Sequence, residues 1–194
     1  TRAQLLGQIM RNYDTPIAVS GTHGKTTTTS MISQILLEAD ADPTISVGGI
    51  LPSIGGNIRV GQSETFITEA CEYTNSFLSF FPKISVILNI DADHLDFFKD
   101  IDDIRHSFRK FAQLLPADGA LIINADTPHY QDIIKDLSCK IITYGLEHEA
   151  QYQATDITYD KYGHASFTVL KDGRKAGSFY LKVPGSHNVS NALA

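Results

Sequence analysis

Ser20-Gly21-Thr22-His23-Gly24-Lys25-Thr26-Thr27-Thr28-Thr29 stands between two segments of different period. Before it runs the apolar, β-branched Pro16-Ile17-Ala18-Val19, read as a strand. After it Met31, Ile32, Ile35, Leu36 and Ala39 recur at three- and four-residue spacing, which predicts a helix with those residues inward. Strand, glycine-bounded turn, Lys-Thr and helix form the grammar of a phosphate-binding loop. Gly21 and Gly24 carry no Cβ, so successive N–H groups can face one concavity. The helix start adds unpaired N–H groups and the positive end of its dipole. On this reading Lys25 reaches the β- and γ-phosphates and the Thr26 hydroxyl meets Mg²⁺, with Thr22, His23 and Thr27 completing the cradle. The loop departs from the usual four-residue gap between glycines: position 19, where the first glycine would fall, is Val19.

Outward from this loop, strand and helix patterns alternate. Thr44–Val47, Glu64–Thr68, the continuous apolar run Ile84–Ile90, Gly119–Asn124 and Lys140–Tyr144 read as strands. A helix capped by Asp100 carries Ile101, Ile104, Phe108, Phe111 and Leu115 on one face and stops at Pro116. Thr127 followed by Pro128 predicts the start of another, with Ile133, Ile134 and Leu137 inward. This alternation over 16–144 implies α/β architecture, a mainly parallel sheet flanked by helices with the phosphate loop at its first strand. After Gly145 the helices stop. Three strand patterns, 151–159, 164–170 and 177–183, separated by Asp-Lys-Tyr-Gly and Lys-Asp-Gly-Arg turns, predict a small antiparallel sheet near the C-terminus. A leading helix over residues 1–15 and the start of a helix within 184–194 bracket the series. Both ends read as cut, so the chain is expected to be one domain, 1–194, of a larger protein.

Composition narrows the function classes. The 194 residues are 42% hydrophobic and 20% charged, with a formal charge of −6. That balance supports a sizeable core and argues against general nucleic-acid or anionic-membrane binding. No run of about 18 apolar residues suggests a membrane span. Cys71 and Cys139 share no metal-ligand spacing and fit a reducing, cytoplasmic compartment.

Polar residues collect where the predicted strands end. Glu69 and Glu72, within Glu-Ala-Cys-Glu-Tyr, follow one strand; Asp91, Asp93, His94 and Asp96 follow the apolar run. Open α/β sheets bind ligands at that edge. Both groups can equally be read as solvated loop residues, and His94 as a hydrogen-bonded loop histidine. Gly48-Gly49 and Gly55-Gly56 bracket a glycine-rich excursion that reads either as a surface loop or as a contact for a second substrate.

Four separated pieces together resemble the ATP-dependent Mur ligases of peptidoglycan synthesis, specifically their central ATPase domain: Gly-Thr-His-Gly-Lys-Thr-Thr-Thr (21–28), Glu-Ala-Cys-Glu (69–72), Asn-Ile-Asp-Ala-Asp-His-Leu-Asp (89–96) and His-Asn-Val-Ser-Asn-Ala (187–192). His23, and the wording around Glu72 and His94, is similar to the alanine-adding branch; the murein-peptide recycling branch shares the loop. The resemblance implies ATP and Mg²⁺ as cofactors. Lys25 would hold the phosphates, Thr26 and Glu69 one Mg²⁺, and His94 a second beside the γ-phosphate. Asn188, with His187 and Asn191, would contact adenine. It further implies that the carboxylate of UDP-N-acetylmuramate takes the γ-phosphoryl group, and that the amine of L-alanine opens the acyl phosphate. Domains before and after this one would grip UDP and the amino acid. The modified lysine of several sister ligases has no clean counterpart near Arg109 and Lys110, so none is expected. From other classes, a phosphate-loop NTPase switch or a nucleotide-binding module without catalysis remain alternatives.

Overall fold

A computed structural model describes all 194 residues. In chain order, α1 is Arg2–Met10, β1 Thr15–Ser20, α2 Lys25–Glu38, β2 Thr44–Leu51, β3 Gly56–Arg59, β4 Thr65–Glu69, β5 Ile84–Ile87, α3 Ile101–Ala112, β6 Ala120–Asn124, α4 Tyr130–Ile134, β7 Lys140–Gly145, β8 Tyr152–Tyr159, β9 His164–Lys171, β10 Arg174–Pro184 and α5 Ser186–Leu193. Short 3₁₀ turns occupy Pro52–Ile54 and Tyr73–Ser79. All ten strands join one sheet in the order β10-β9-β8-β7-β6-β5-β1-β4-β2-β3.

β1 is an interior strand, pairing in parallel with β4 on one side and β5 on the other. β6 and β7 continue the parallel series. The antiparallel strands β8, β9 and β10 form no separate layer. β8 pairs in parallel with β7 through Tyr144↔Tyr152 and Gly145↔Gln153, and so extends the main sheet. The alternating series and its antiparallel annex are therefore both present, joined along one edge.

The two faces of the sheet carry different cores. Met10, Phe77, Phe80, Phe108, Phe111 and Leu121 pack under α1, α3 and the 73–79 turn. Phe77 stacks on Phe111 with ring centroids 4.6 Å apart. The opposite core joins Val19, Ile45, Ile67, Val86 and Leu88, with Ile32 and Leu36 of α2 packed against it. Asp100 caps α3, its carboxylate accepting from the Asp103 N–H at 3.0 Å, as its spacing predicts.

Three local expectations need correction. α2 buries Thr28, Thr29 and Ser33, whereas Ile35 is 66% exposed and Ala39 is also exposed. The phosphate loop fixes the helix start, and small side chains at Thr29 and Ser33 let the helix lie close on the sheet. α4 begins at Tyr130, not after Thr127, because His129 enters at φ 63° and a helix cannot run through that conformation. The glycine-rich excursion is an ordered antiparallel edge: Ile45 pairs with Arg59 and Ser46 with Ile58.

Candidate functional site

β1 runs through Ser20, and Val19 lies in register with Glu69 of β4. This explains the shortened glycine spacing: the position of the usual first glycine is a buried strand residue, and the loop begins only at Gly21. Gly24 then takes φ 88° as the N-cap of α2. A Cβ there would stand 2.5 Å from Oδ1 of Asn191, so the glycine also permits α5 to close against the loop.

The loop is tied from the segment following β5. The His23 N–H donates to Oδ1 of Asn89 at 2.7 Å, and the Asn89 amide returns a bond to the His23 carbonyl at 3.0 Å. The Asp91 N–H donates to the Thr22 hydroxyl at 2.9 Å. The first helical bond of α2 runs from the Thr28 N–H to the Gly24 carbonyl, which leaves the N–H groups of Lys25, Thr26 and Thr27 without helical acceptors. A cavity of about 280 Å³ opens there, walled by Thr22 to Thr27. An oxyanion in it would face those donors and the dipole of a 14-residue helix.

Lys25 folds over this concavity. Its Nζ donates to the carbonyls of Gly21 and Thr22 at 2.5 and 3.1 Å, and to Glu72 at 3.1 and 3.3 Å. Glu72 is 1% exposed. An ammonium is the counter-charge that such a buried carboxylate requires. Nε2 of His94 lies 3.7 Å from the other side of that carboxylate. His94 holds φ 53°, and its ring sits 4.6 Å from that of Tyr73. The Tyr73 hydroxyl donates to Asp96 at 2.7 Å, and this bond raises the phenol's pKa above its ordinary value.

Glu69 extends from the end of β4 beside the same helix start. One carboxylate oxygen accepts from the Thr26 hydroxyl at 3.1 Å and the other from the Gly48 N–H. A Cβ on Gly48 would stand 2.9 Å from that carboxylate, so a side chain there would push the Glu69 carboxylate aside. Thr26 and Glu69 offer hard oxygen donors suited to Mg²⁺. No cluster of three or more acid, His or Cys side chains forms a complete protein cage. Such a donor set suits an ion that takes its remaining ligands from phosphate and water.

At the far side of the loop, Asn188 and Asn191 are buried on α5. The Asn191 amide donates to Oδ1 of Asn188 at 3.1 Å, and the Asn188 amide to the Pro184 carbonyl at 2.7 Å. Asn124 links β6 to this corner through the Leu88 carbonyl at 3.1 Å and the Ser190 hydroxyl at 3.4 Å. His187 stands outside, exposed beside Gly185. Arg109 faces away, donating to the carbonyls of Asp132 and Lys135.

Lys25, Thr26, Glu69 and His94 thus converge, and Asn191 meets the loop from α5. Sequence reasoning assigned no role to two positions that it quoted. Glu72 was visible as the second acid of Glu-Ala-Cys-Glu, and Asn89 as the first residue of the segment bearing His94. No local signal states that the first grips Lys25 and the second the loop backbone.

Comparison with known proteins bears on this geometry. The model of the Mur ligase middle domain matches residues 19–194. The chain is 63% identical over 194 residues to UDP-N-acetylmuramate–L-alanine ligase of Agathobacter rectalis, and 59% identical over 195 residues to that of Lachnospira eligens. It is covered completely in both cases and spans 42% of the length of either relative. Among solved structures, it resembles UDP-N-acetylmuramate:L-alanyl-gamma-D-glutamyl-meso-diaminopimelate ligase from Neisseria meningitides with a TM-score of 0.87, at 31% identity over 98% of this chain and 62% of that one. It resembles UDP-N-acetylmuramate-alanine ligase from Thermotoga maritima with a TM-score of 0.82, at 28% identity over 96% of this chain and 41% of that one. The phosphate loop, the acid pair and the α5 corner lie within the matched span, and the chain belongs to the Mur ligase middle domain family.

Proposed function

We propose that this chain is the ATP-binding part of a ligase joining L-alanine to the carboxylate of UDP-N-acetylmuramate. The observation that carries the reading is the convergence of Lys25, Thr26, Glu69, Glu72 and His94 on one helix start. It is joined by 54–63% identity to curated alanine-adding ligases.

The residues divide the work. The α2 N–H groups and Lys25 hold the β- and γ-phosphates, and Lys25 exchanges the Gly21 and Thr22 carbonyls for phosphate oxygens as ATP enters. Thr26 and Glu69 would hold Mg²⁺, which lowers the charge repulsion between an incoming carboxylate and the polyphosphate. His94, aligned by Tyr73 and Glu72, faces the transferring phosphoryl group, and Asn188 and Asn191 receive the adenine end. The acceptor carboxylate takes the γ-phosphoryl group and ADP leaves. The alanine amine then attacks the acyl carbon, phosphate departs, and the amine proton passes to solvent or a basic group. Fixed donors at the developing charge are the main contribution such a site makes.

A 42% span of the relatives' length leaves the grip on UDP and on alanine to the remainder of a full-length ligase. Two free thiols, and the absence of any helix long and apolar enough to cross a membrane, fit placement in the cytoplasm.

The test uses this sequence within a protein of the relatives' full length. It is incubated with ATP, Mg²⁺, UDP-N-acetylmuramate and either L-alanine or the murein tripeptide. The reading predicts the alanyl amide by mass spectrometry, with one ADP and one phosphate per product. Product with the tripeptide alone would assign the chain to the recycling reaction, and ATP hydrolysis without amide to an NTPase switch.

A further inference from the structure

Resting on that reading, we infer that Ser107 of α3 is a positioning residue for the reaction: through Asn75 it braces the turn that carries Glu72 and Tyr73 against Lys25 and His94. Directly after those two residues the backbone enters the left-handed region twice, at Thr74 (φ 55°, ψ 23°) and Asn75 (φ 56°, ψ 28°). Asparagine tolerates that conformation, but a β-branched threonine there is a genuine outlier. Thr74 is exposed, so no packing around its side chain offsets the strain. Strain of this kind persists only where the surroundings over-determine the conformation.

Those surroundings belong to α3. Ser107 is 4% exposed and is buried on that helix together with Ile104, Phe108 and Phe111. A serine hydroxyl within a helix commonly bonds back to its own backbone; this one donates across to Oδ1 of Asn75. Two residues further on, Phe77 stacks on Phe111 and meets Phe108 edge-on at 5.3 Å. The turn is closed by the Asn75 N–H on the Glu72 carbonyl at 2.9 Å and the Phe77 N–H on the Cys71 carbonyl at 3.0 Å. Its far side is thus fixed to α3, while its near side brings the Glu72 carboxylate to Lys25 and the Tyr73 ring to His94. Without the Ser107 bond, Thr74 and Asn75 relax toward negative φ, and Tyr73 leaves His94. The phosphate loop has its own ties to Asn89 and Asp91, so the effect falls on turnover and not on the grip on ATP.

The test uses the full-length ligase. Ser107→Ala should lower kcat about ten- to hundredfold, the cost of misplacing reacting groups by up to roughly 1 Å, while KM for ATP holds. Asn75→Ala removes the acceptor without touching the α3 core and should do the same, so it carries the test if Ser107→Ala fails to fold. Adding Thr74→Gly to Ser107→Ala should recover most of the loss, because glycine accepts positive φ unaided. A serine that merely stabilises the fold would instead leave turnover tracking the folded fraction, with no recovery. A second readout is independent of the reaction. The His94 Cε1–H resonance, identified by its loss in His94→Gln, feels the ring current of Tyr73. Ser107→Ala should move it, Thr74→Gly should return it, and the resonances of His148, His164 and His187 should stay in place. An unmoved His94 resonance, or unchanged turnover in an active ligase, overturns the brace. A resonance that moves and returns in a protein that makes no alanyl amide upholds the brace and counts against the proposed reaction.

Discussion

Nζ of Lys25 lies 3.1 Å from Oε2 of Glu72, a carboxylate sealed beneath the phosphate loop with 2% of its side chain exposed. The same ammonium also bonds the carbonyls of the loop it serves. In the nucleotide-free chain, Lys25 is therefore a structural counter-ion. Glu72→Gln should lower unfolding free energy by about 1–3 kcal/mol, the range for leaving a buried charged hydrogen bond unmade. Saturating ATP should shrink that deficit, because phosphate then replaces the missing anion beside Lys25. Urea unfolding with and without ATP checks this; the same deficit in both would show that Lys25 does not turn to the nucleotide.

Gly24 is held by two constraints of different origin, its φ of 88° and the Asn191 amide. Gly24→Ala should cost about 1–2 kcal/mol from the left-handed backbone alone, with more from displacing α5. Adding Asn191→Ala should recover only the second part. Full recovery in urea unfolding would show that the backbone conformation carries no strain.

His94 takes φ 53° at the surface of the site. His94→Gly should leave the melting temperature unchanged or slightly raised, since glycine accepts that conformation freely. In a full-length ligase, turnover should fall by about 10²-fold or more, as when a group stabilising transition-state charge is removed. A melting temperature that collapses in parallel with activity would make His94 a structural residue.

Much of the sheet was legible because its rules are local: β-branched runs before glycine turns, three- and four-residue spacing after them, and Asp100 as a cap. The inward face of α2 was not. Ile35 satisfies helical periodicity yet points to solvent, because the loop geometry, not hydropathy, sets the rotation of the helix. The start of α4 was missed for a related reason: His129 departs from helical backbone without a glycine to announce it. Within the site, Lys25, Thr26 and Glu69 were legible from chemistry and order. Glu72 was visible as the second acid of a pair but its role was not, since pairing with a lysine 47 residues away leaves no trace in spacing.

Asp126 gives a pH-dependent handle on the other end of the sheet. Burial pushes its carboxyl up, but the N–H groups of Leu146, His148 and Glu147 and the His148 ring outweigh that and hold it below its ordinary value. A depressed folded pKa contributes stability above the unfolded value of about 3.9 and loses it as pH falls through the folded value. Asp126→Ala should therefore cost about 1–3 kcal/mol at pH 7, with the gap from wild type narrowing below about pH 4. Denaturant unfolding from pH 7 to pH 3 reads it out; a gap that widens on acidification would contradict the assignment.

ATP affinity with and without divalent metal tests the nucleotide–metal site most directly. Wild type, Lys25→Ala and Glu69→Gln are titrated with ATP by calorimetry, once in Mg²⁺ and once in EDTA. Lys25→Ala removes a direct phosphate contact and should weaken binding about tenfold or more in both buffers, as expected for a charged hydrogen bond. Glu69→Gln keeps the shape of the side chain and removes its charge, so it should erase the gain given by Mg²⁺ and leave affinity in EDTA near wild type. Equal losses for Glu69→Gln in the two buffers, or no loss for Lys25→Ala in either, would contradict the assignment of these residues to ATP and its metal.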